Sequence, residues 1–189
     1  MRLLMFKVLT TAKSVAEKSR QVLINPDAMK KFAHELAKGD IRVPNWDAEH
    51  HFQGREEETA AYLLAVDTVN FCFWPPRGQE KWEISYRGQT YSGYYGLSVS
   101  FKKAMESGIP ITDASFLDAL TLRQLKEVFA GTGVLQLMEE RLRNLKELGR
   151  VLLDKYSGQA SRLVTTAGGS AVKLVELLAG DFASFRDQG

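Results

Sequence analysis

The sequence predicts a mainly α-helical fold carrying one small antiparallel β-hairpin. Three observations carry that expectation. Apolar residues recur at helical spacing in most segments. A single short pair, Trp82–Tyr86 and Thr90–Ser92, alternates apolar and polar around Arg87-Gly88-Gln89, as a half-buried hairpin does. Proline and glycine then punctuate the chain at the places where helices would have to stop.

The elements follow in order. Residues 10–22 read as a helix with Thr10 or Thr11 as N-cap and Val15 and Val22 on one face. Asn25-Pro26-Asp27 is a helix start, with the cap first, proline at the first helical position and then an acid. Met29, Phe32, Ala33 and Leu36 form the stripe of that helix, and Gly39 ends it. His34 on it reads as a solvated side chain. Residues 40–54 form an irregular connection, because Pro44 disfavours helix at Val43, and Trp46 is expected to anchor it to the core.

Glu56-Glu57-Glu58 places acids at the positive end of a long, nearly all-round apolar helix, predicted to be central and to run to Pro75-Pro76. Asp67 and Asn70, three apart, would share one of its faces. Buried polar groups cost about 1–3 kcal/mol when unsatisfied, so the two meet either a structural network or a ligand. Past the hairpin, helices are expected at Tyr94–Ser107, shortly after Thr112 or Asp113, at Leu122–Ala130 behind Thr121, at Val134–Tyr156, and from Gly169 or Ser170 to Leu178. Glu140-Arg141 and Arg143 to Glu147 read as solvated pairs on the longest of these. Phe182 and Phe185 lie in a tail with no closing element, which suggests a fold that stops short.

Composition excludes several classes of function. Hydrophobic content of 44% with 25% charged residues is ordinary for a soluble domain. A net charge of +2 and no basic stripe argue against a nucleic-acid polymer or a membrane surface as partner. No apolar run reaches the roughly 20 residues that span a bilayer. The start, Met1 to Leu9, has a signal-peptide flavour, but Lys7 interrupts it and it reads as mature sequence. Cys72, the single cysteine, reads as buried and inert in a reducing, cytoplasmic setting. There is no phosphate-binding loop, dinucleotide fingerprint or nucleophile elbow. Gly131-Thr132-Gly133 reads as a helix–helix turn, with anion binding at the following helix start as the alternative. His50 and His51 are adjacent and would diverge, so no metal site and no cofactor is expected.

The stretch from Val66 to Leu97 holds two of three tryptophans, four of six tyrosines and the only cysteine, mixed with hydrogen-bonding residues. Such a mixture suits a flat polar ring, and equally a core corner where helix meets hairpin. Within it lie Val66-Asp67-Thr68-Val69-Asn70-Phe71-Cys72-Phe73-Trp74 and Tyr86-Arg87-Gly88-Gln89-Thr90-Tyr91-Ser92-Gly93-Tyr94. These strings resemble the signature of the queuosine salvage proteins. The resemblance continues through Gly108–Thr112, Thr121–Leu125, Glu139-Glu140-Arg141 and Ser184–Asp187, in order over roughly residues 10 to 187.

The resemblance implies a mainly α architecture like that of the helix–hairpin–helix DNA glycosylases. It also implies an N-glycosidase releasing queuine from queuosine 5′-phosphate, with ribose 5-phosphate as the other product. The spacing Trp46 to His50 matches the family position whose histidine contacts the base. Asp67, Asn70, Phe71 and Tyr91 fall in the signature strings and are assigned to the pocket wall or the layer behind it. The family's catalytic aspartate lies beyond the match to Ser184–Asp187. The chain therefore reads as a single domain over 1–189, the N-terminal portion of a longer family-length chain, with no catalytic residue in it. Its implied partners are the nucleotide and the free base, with a separate C-terminal chain as the alternative to a longer single chain. The alternative is a non-catalytic helical module that binds a base or a partner protein.

Overall fold

The computed structural model describes residues 2–19, 23–39 and 45–186, with side chains from Thr10 onward. The chain packs as two units, 1–46 and 47–189, and each is described by itself. The described residues are about 60% helical, with a single two-stranded antiparallel hairpin, as expected.

The first unit contains α1 (Arg2–Lys18) and α2 (Pro26–Lys38). Thr10 and Thr11 lie inside α1 rather than capping it. The residues 20–22 that would have extended it lie outside the described residues. Asn25 caps α2 as its sequence predicts, accepting from the amides of Asp27 at 3.0 Å and Ala28 at 3.1 Å. Met29, Phe32 and Leu36 stay exposed on α2, and so does His34.

The second unit contains α3 (Glu56–Thr68), β1 (Glu83–Tyr86), β2 (Gln89–Ser92), α4 (Gly93–Glu106), α5 (Ala114–Ala119), α6 (Leu122–Val128), α7 (Met138–Tyr156), α8 (Ala160–Thr166) and α9 (Ala171–Asp181). A 3-10 turn, Ala183–Phe185, follows α9. The hairpin pairs Ile84 with Tyr91 and Tyr86 with Gln89. Its two-residue turn puts Arg87 at φ 48 and Gly88 at φ 80, the positive values that match the twist of the flanking strands. The core runs from Tyr62, Ala65 and Val66 on α3 through Trp82 and Ile84 to Leu97, Val99 and Phe101 on α4. Leu117, Leu125, Leu145, Leu148 and Leu152 extend it across α5, α6 and α7.

Several expectations are corrected. α3 ends at Thr68, well before Pro75-Pro76. The Thr68 hydroxyl donates back to the Leu64 carbonyl at 2.7 Å, and the next carbonyls are drawn away by Arg141. Gly131-Thr132-Gly133 does not lead into a helix. It runs beside β1, with Glu83 N donating to Thr132 O at 3.0 Å and Thr132 N to Glu83 O at 2.9 Å. A Cβ at Gly131 would meet Glu83 O at 2.1 Å, so the glycine serves close backbone approach rather than anion binding. α7 starts at Met138 rather than Val134, and α8 forms where no element was expected.

The C-terminal aromatics are not exposed either. Phe182 is fully buried and stacks on Tyr156 with centroids 6.5 Å apart, and Phe185 packs edge-on against Phe182. Glu147 accepts from the amides of Ala183 at 2.8 Å and Ser184 at 2.9 Å instead of pairing with Arg143, whose partner is Glu140 at 3.4 Å. Glu57 does the same for α8, accepting from Ala160 and Ser161. A carboxylate at a helix start satisfies amides that have no partner within the helix.

α5 and α7 approach closely at Gly149, where a Cβ would meet Ala114 O and Asp118 N, both at 2.5 Å. Gly149→Ala is therefore expected to cost about 1–3 kcal/mol through overpacking. A thermal melt reads this directly, and an unshifted melting temperature would refute so close a contact.

Candidate functional site

Residues 47–51 form one turn of helix, closed by His51 N donating to Asp47 O at 3.0 Å. Asp47 and His50 are spaced three apart on it, so their side chains meet. His50 Nδ1 donates to Asp47 Oδ2 at 2.8 Å, and this hydrogen bond holds the Asp47 carboxyl below its ordinary range. A carboxylate on Nδ1 fixes the ring's tautomer and orientation, leaving Nε2 as an acceptor. Among the described residues Nε2 of His50 has no partner.

The ring of His50 lies between two tyrosines. Tyr91 on β2 meets it edge-on with centroids 5.4 Å apart, and Tyr95 on α4 is tilted against it at 4.5 Å. Tyr95 is 49% exposed, so the His50–Tyr95 edge faces solvent. The hairpin register puts Tyr91 there, and the tight passage from β2 into α4 through Gly93 at φ 59 sets Tyr94 and Tyr95 beside it. The sequence anticipates His50 and Tyr91, and the structure brings them together.

His51 turns to the neighbouring tyrosine. Its Nδ1 lies 3.2 Å from Asp47 O, which only accepts, so Nδ1 carries the proton. Nε2 then accepts from the Tyr94 hydroxyl at 2.9 Å. The fully buried Tyr62 packs edge-on to His51 and donates its hydroxyl to Ser98 O at 3.0 Å. His51 and Tyr94 both feel the charge of Asp67. They link the histidine turn to the C-terminal end of α3.

Asp67 sits near that end and is exposed to solvent along its outer side, only its inner part being shielded. Burial of the rest pushes its carboxyl above the ordinary value of 3.8, and the nearby His51 opposes this only in part. Among the described residues no donor bonds it. Asn70 is exposed and lies beyond α3, so the two do not share a helix face; the Asn70 amide donates to Asp67 O at 3.3 Å instead. Among the described residues neither side chain enters a hydrogen-bonded network.

Phe71 goes elsewhere. It lies under the guanidinium of Arg141, whose Cζ is 4.5 Å from the Phe71 ring and 5.3 Å from that of Phe73. Arg141 is fully buried, contrary to the expected solvated pair, and no carboxylate among the described residues pairs with it. Its nitrogens donate to the carbonyls of Val69, Phe71, Cys72 at 2.9 Å and Gln136 at 3.0 Å. Burial lowers its pKa to about 10, which leaves it charged at neutral pH. The grip holds residues 69–72 in a kinked path, with Cys72 at φ 48 and its side chain exposed rather than buried. Composition gave no warning of Arg141. The Asp47-x-x-His50-His51 spacing and the Tyr94-Tyr95 pair, by contrast, were signals available to a reader of helix periodicity.

No group of three metal-ligating side chains converges among the described residues, and no described helix is long and apolar enough to cross a membrane. Among the described residues His50 Nε2 and the Asp67 carboxylate have no partner; Tyr91 and Tyr95 flank the His50 ring, and Tyr94 bonds His51 on the side of Asp67.

Comparison with known proteins agrees with the signature strings. The profile of the family described as queuosine salvage protein matches residues 50–189. A Sphaerobacter thermophilus protein named queuosine 5′-phosphate N-glycosylase/hydrolase is 42% identical over 180 residues, covering 95% of this chain and 55% of that protein. The Mus musculus protein of the same name is 37% identical over 184 residues, covering 94% of this chain and 54% of its own length. The Bos taurus one is 36% identical over 185 residues with the same coverage. The chain belongs to the queuosine salvage protein family. It spans about half the length of the relatives it matches.

Proposed function

We propose that this chain supplies the base-recognition part of an N-glycosidase that hydrolyses queuosine 5′-phosphate to queuine and ribose 5-phosphate. The observation that carries the reading is the match, across nearly the whole chain, to relatives named for that activity. The free acceptor on His50 and the free carboxylate of Asp67 support it, since a deazaguanine base presents donors along its edges. Tyr91 walls the same pocket, Asn70 stands at its α3 side, and Phe71 acts from behind through the Arg141 grip. The protein works on a free nucleotide in the cytoplasm rather than on a nucleic-acid polymer.

Breaking the N-glycosidic bond develops oxocarbenium-like charge on the ribose, which a carboxylate stabilises or captures. We take that aspartate to lie in the part of the longer relatives that this chain does not match, on the same chain or on a separate one. The purified 189-residue chain is thus expected to bind queuine and to release no ribose 5-phosphate from queuosine 5′-phosphate. Turnover by the chain that disappears in Asp67→Asn would overturn this and move the carboxylate to Asp67. Absence of queuine binding would favour a helical interaction module.

A further inference from the structure

The turn that carries His50 and His51 is a single helical turn, so its own hydrogen bonds leave carbonyls without partners at its C-terminal side. Those of Ala48 and Glu49 are met by one group. Lys102, on α4 and only 7% exposed, donates from Nζ to Ala48 O at 2.6 Å and to Glu49 O at 3.1 Å. Its ammonium also stands 5.8 Å from the centroid of the Tyr86 ring. No carboxylate among the described residues pairs with it. A buried lysine without an anionic partner is uncommon, because desolvating the ammonium is costly unless its donors are filled. Here two carbonyl oxygens, which point along the turn's axis, fill that role.

We infer that Lys102 is the positioning residue of the site: it clamps the Asp47–His51 turn onto α4 and thereby sets where the free Nε2 of His50 points. The argument is geometric. Tyr94 and Tyr95 stand on the same helix, seven or eight residues before Lys102, and so on the same face two turns away. α4 therefore holds the histidine turn from both ends. The tyrosines touch the imidazoles, and the lysine grips the backbone just before them. The turn has no strand pairing, and its own closing bonds are the His51 amide and the Asp47 side chain. Released from Lys102, it would keep its local shape and lose its registration against Tyr91 and Tyr95. The role rests on the base-pocket reading for its functional consequence, though not for its structural one.

Lys102→Met keeps the aliphatic stem and removes the donors, and it is tested in the 189-residue chain. Contacts between the His50 ring and the Tyr91 and Tyr95 rings, read as nuclear Overhauser effects, are expected to vanish. Queuine affinity by calorimetry is expected to fall tenfold or more, as suits a displaced hydrogen-bonding group. Lys102→Gln, which keeps two amide donors and loses the charge, should fall between. Leu163→Ala, in the buried part of α8, serves as a control that loses stability and keeps both the ring contacts and the affinity. Retained ring contacts in Lys102→Met, or in Lys102→Gln if the first variant does not fold, would overturn the inference. Lost contacts in a protein whose wild type binds no queuine would leave the clamp standing and refute the pocket.

Discussion

Arg141→Ala is expected to lower stability by about 3–5 kcal/mol, the largest single effect on this fold outside wholesale core truncation. The substitution strands the carbonyls of Val69, Phe71 and Cys72 and opens a cavity between two phenylalanine rings. For a chain of this length, that is a fall of roughly 2–4 °C in melting temperature for each kcal/mol. Arg141→Lys should recover little, because a point charge with three donors cannot span four carbonyls held by a planar fork. Thermal melts of the two variants check this. A melting temperature equal to that of the wild type would show that the 69–72 path is held by something else.

Asp67→Asn should move stability and binding in opposite directions. Burial raises the folded-state pKa of Asp67 above its unfolded value, so the ionised carboxylate destabilises the fold. That cost is fully present above the folded pKa and absent below the unfolded one. Asparagine removes it, and the variant should therefore melt higher at pH 7. Its advantage should shrink as pH falls through the raised pKa toward 3.8. Losing a charged acceptor should meanwhile weaken queuine by about 1.5–3 kcal/mol, roughly tenfold to a hundredfold in affinity. Paired melts and calorimetry separate the two effects, and a variant that loses stability at pH 7 would show that Asp67 has a structural partner after all.

The sequence was most readable where structure is set locally. The Asn25-Pro26 start, the Thr121–Gln124 capping box and the Ser170 cap each form as the residue types dictate. The hairpin needs only its alternation and a two-residue turn with Gly88. Reading fails where a distant side chain decides. α3 stops at Thr68 because Arg141, some seventy residues later, takes the carbonyls that would have continued the helix. Nothing in a Glu-Glu-Arg run on an amphipathic helix says that its arginine is buried. Phe182 looks stranded in a tail until Tyr156 is found against it. At the site, His50 and Tyr91 came from the resemblance and Asp47 meets His50 by local spacing, whereas Tyr95 and Lys102 join them only by the way α4 lies across the turn.

The central claim is that the Asp47–His51 turn, the end of α3 and the β2–α4 junction together hold the base. An NMR titration of the isotopically labelled chain with queuine tests it most directly. The account predicts saturable shifts at His50, His51, Asp67, Tyr91 and Tyr95, with the far face of α7 around Leu142 and Val151 unmoved. Saturable shifts confined to that α7 face, or none at all, would contradict it.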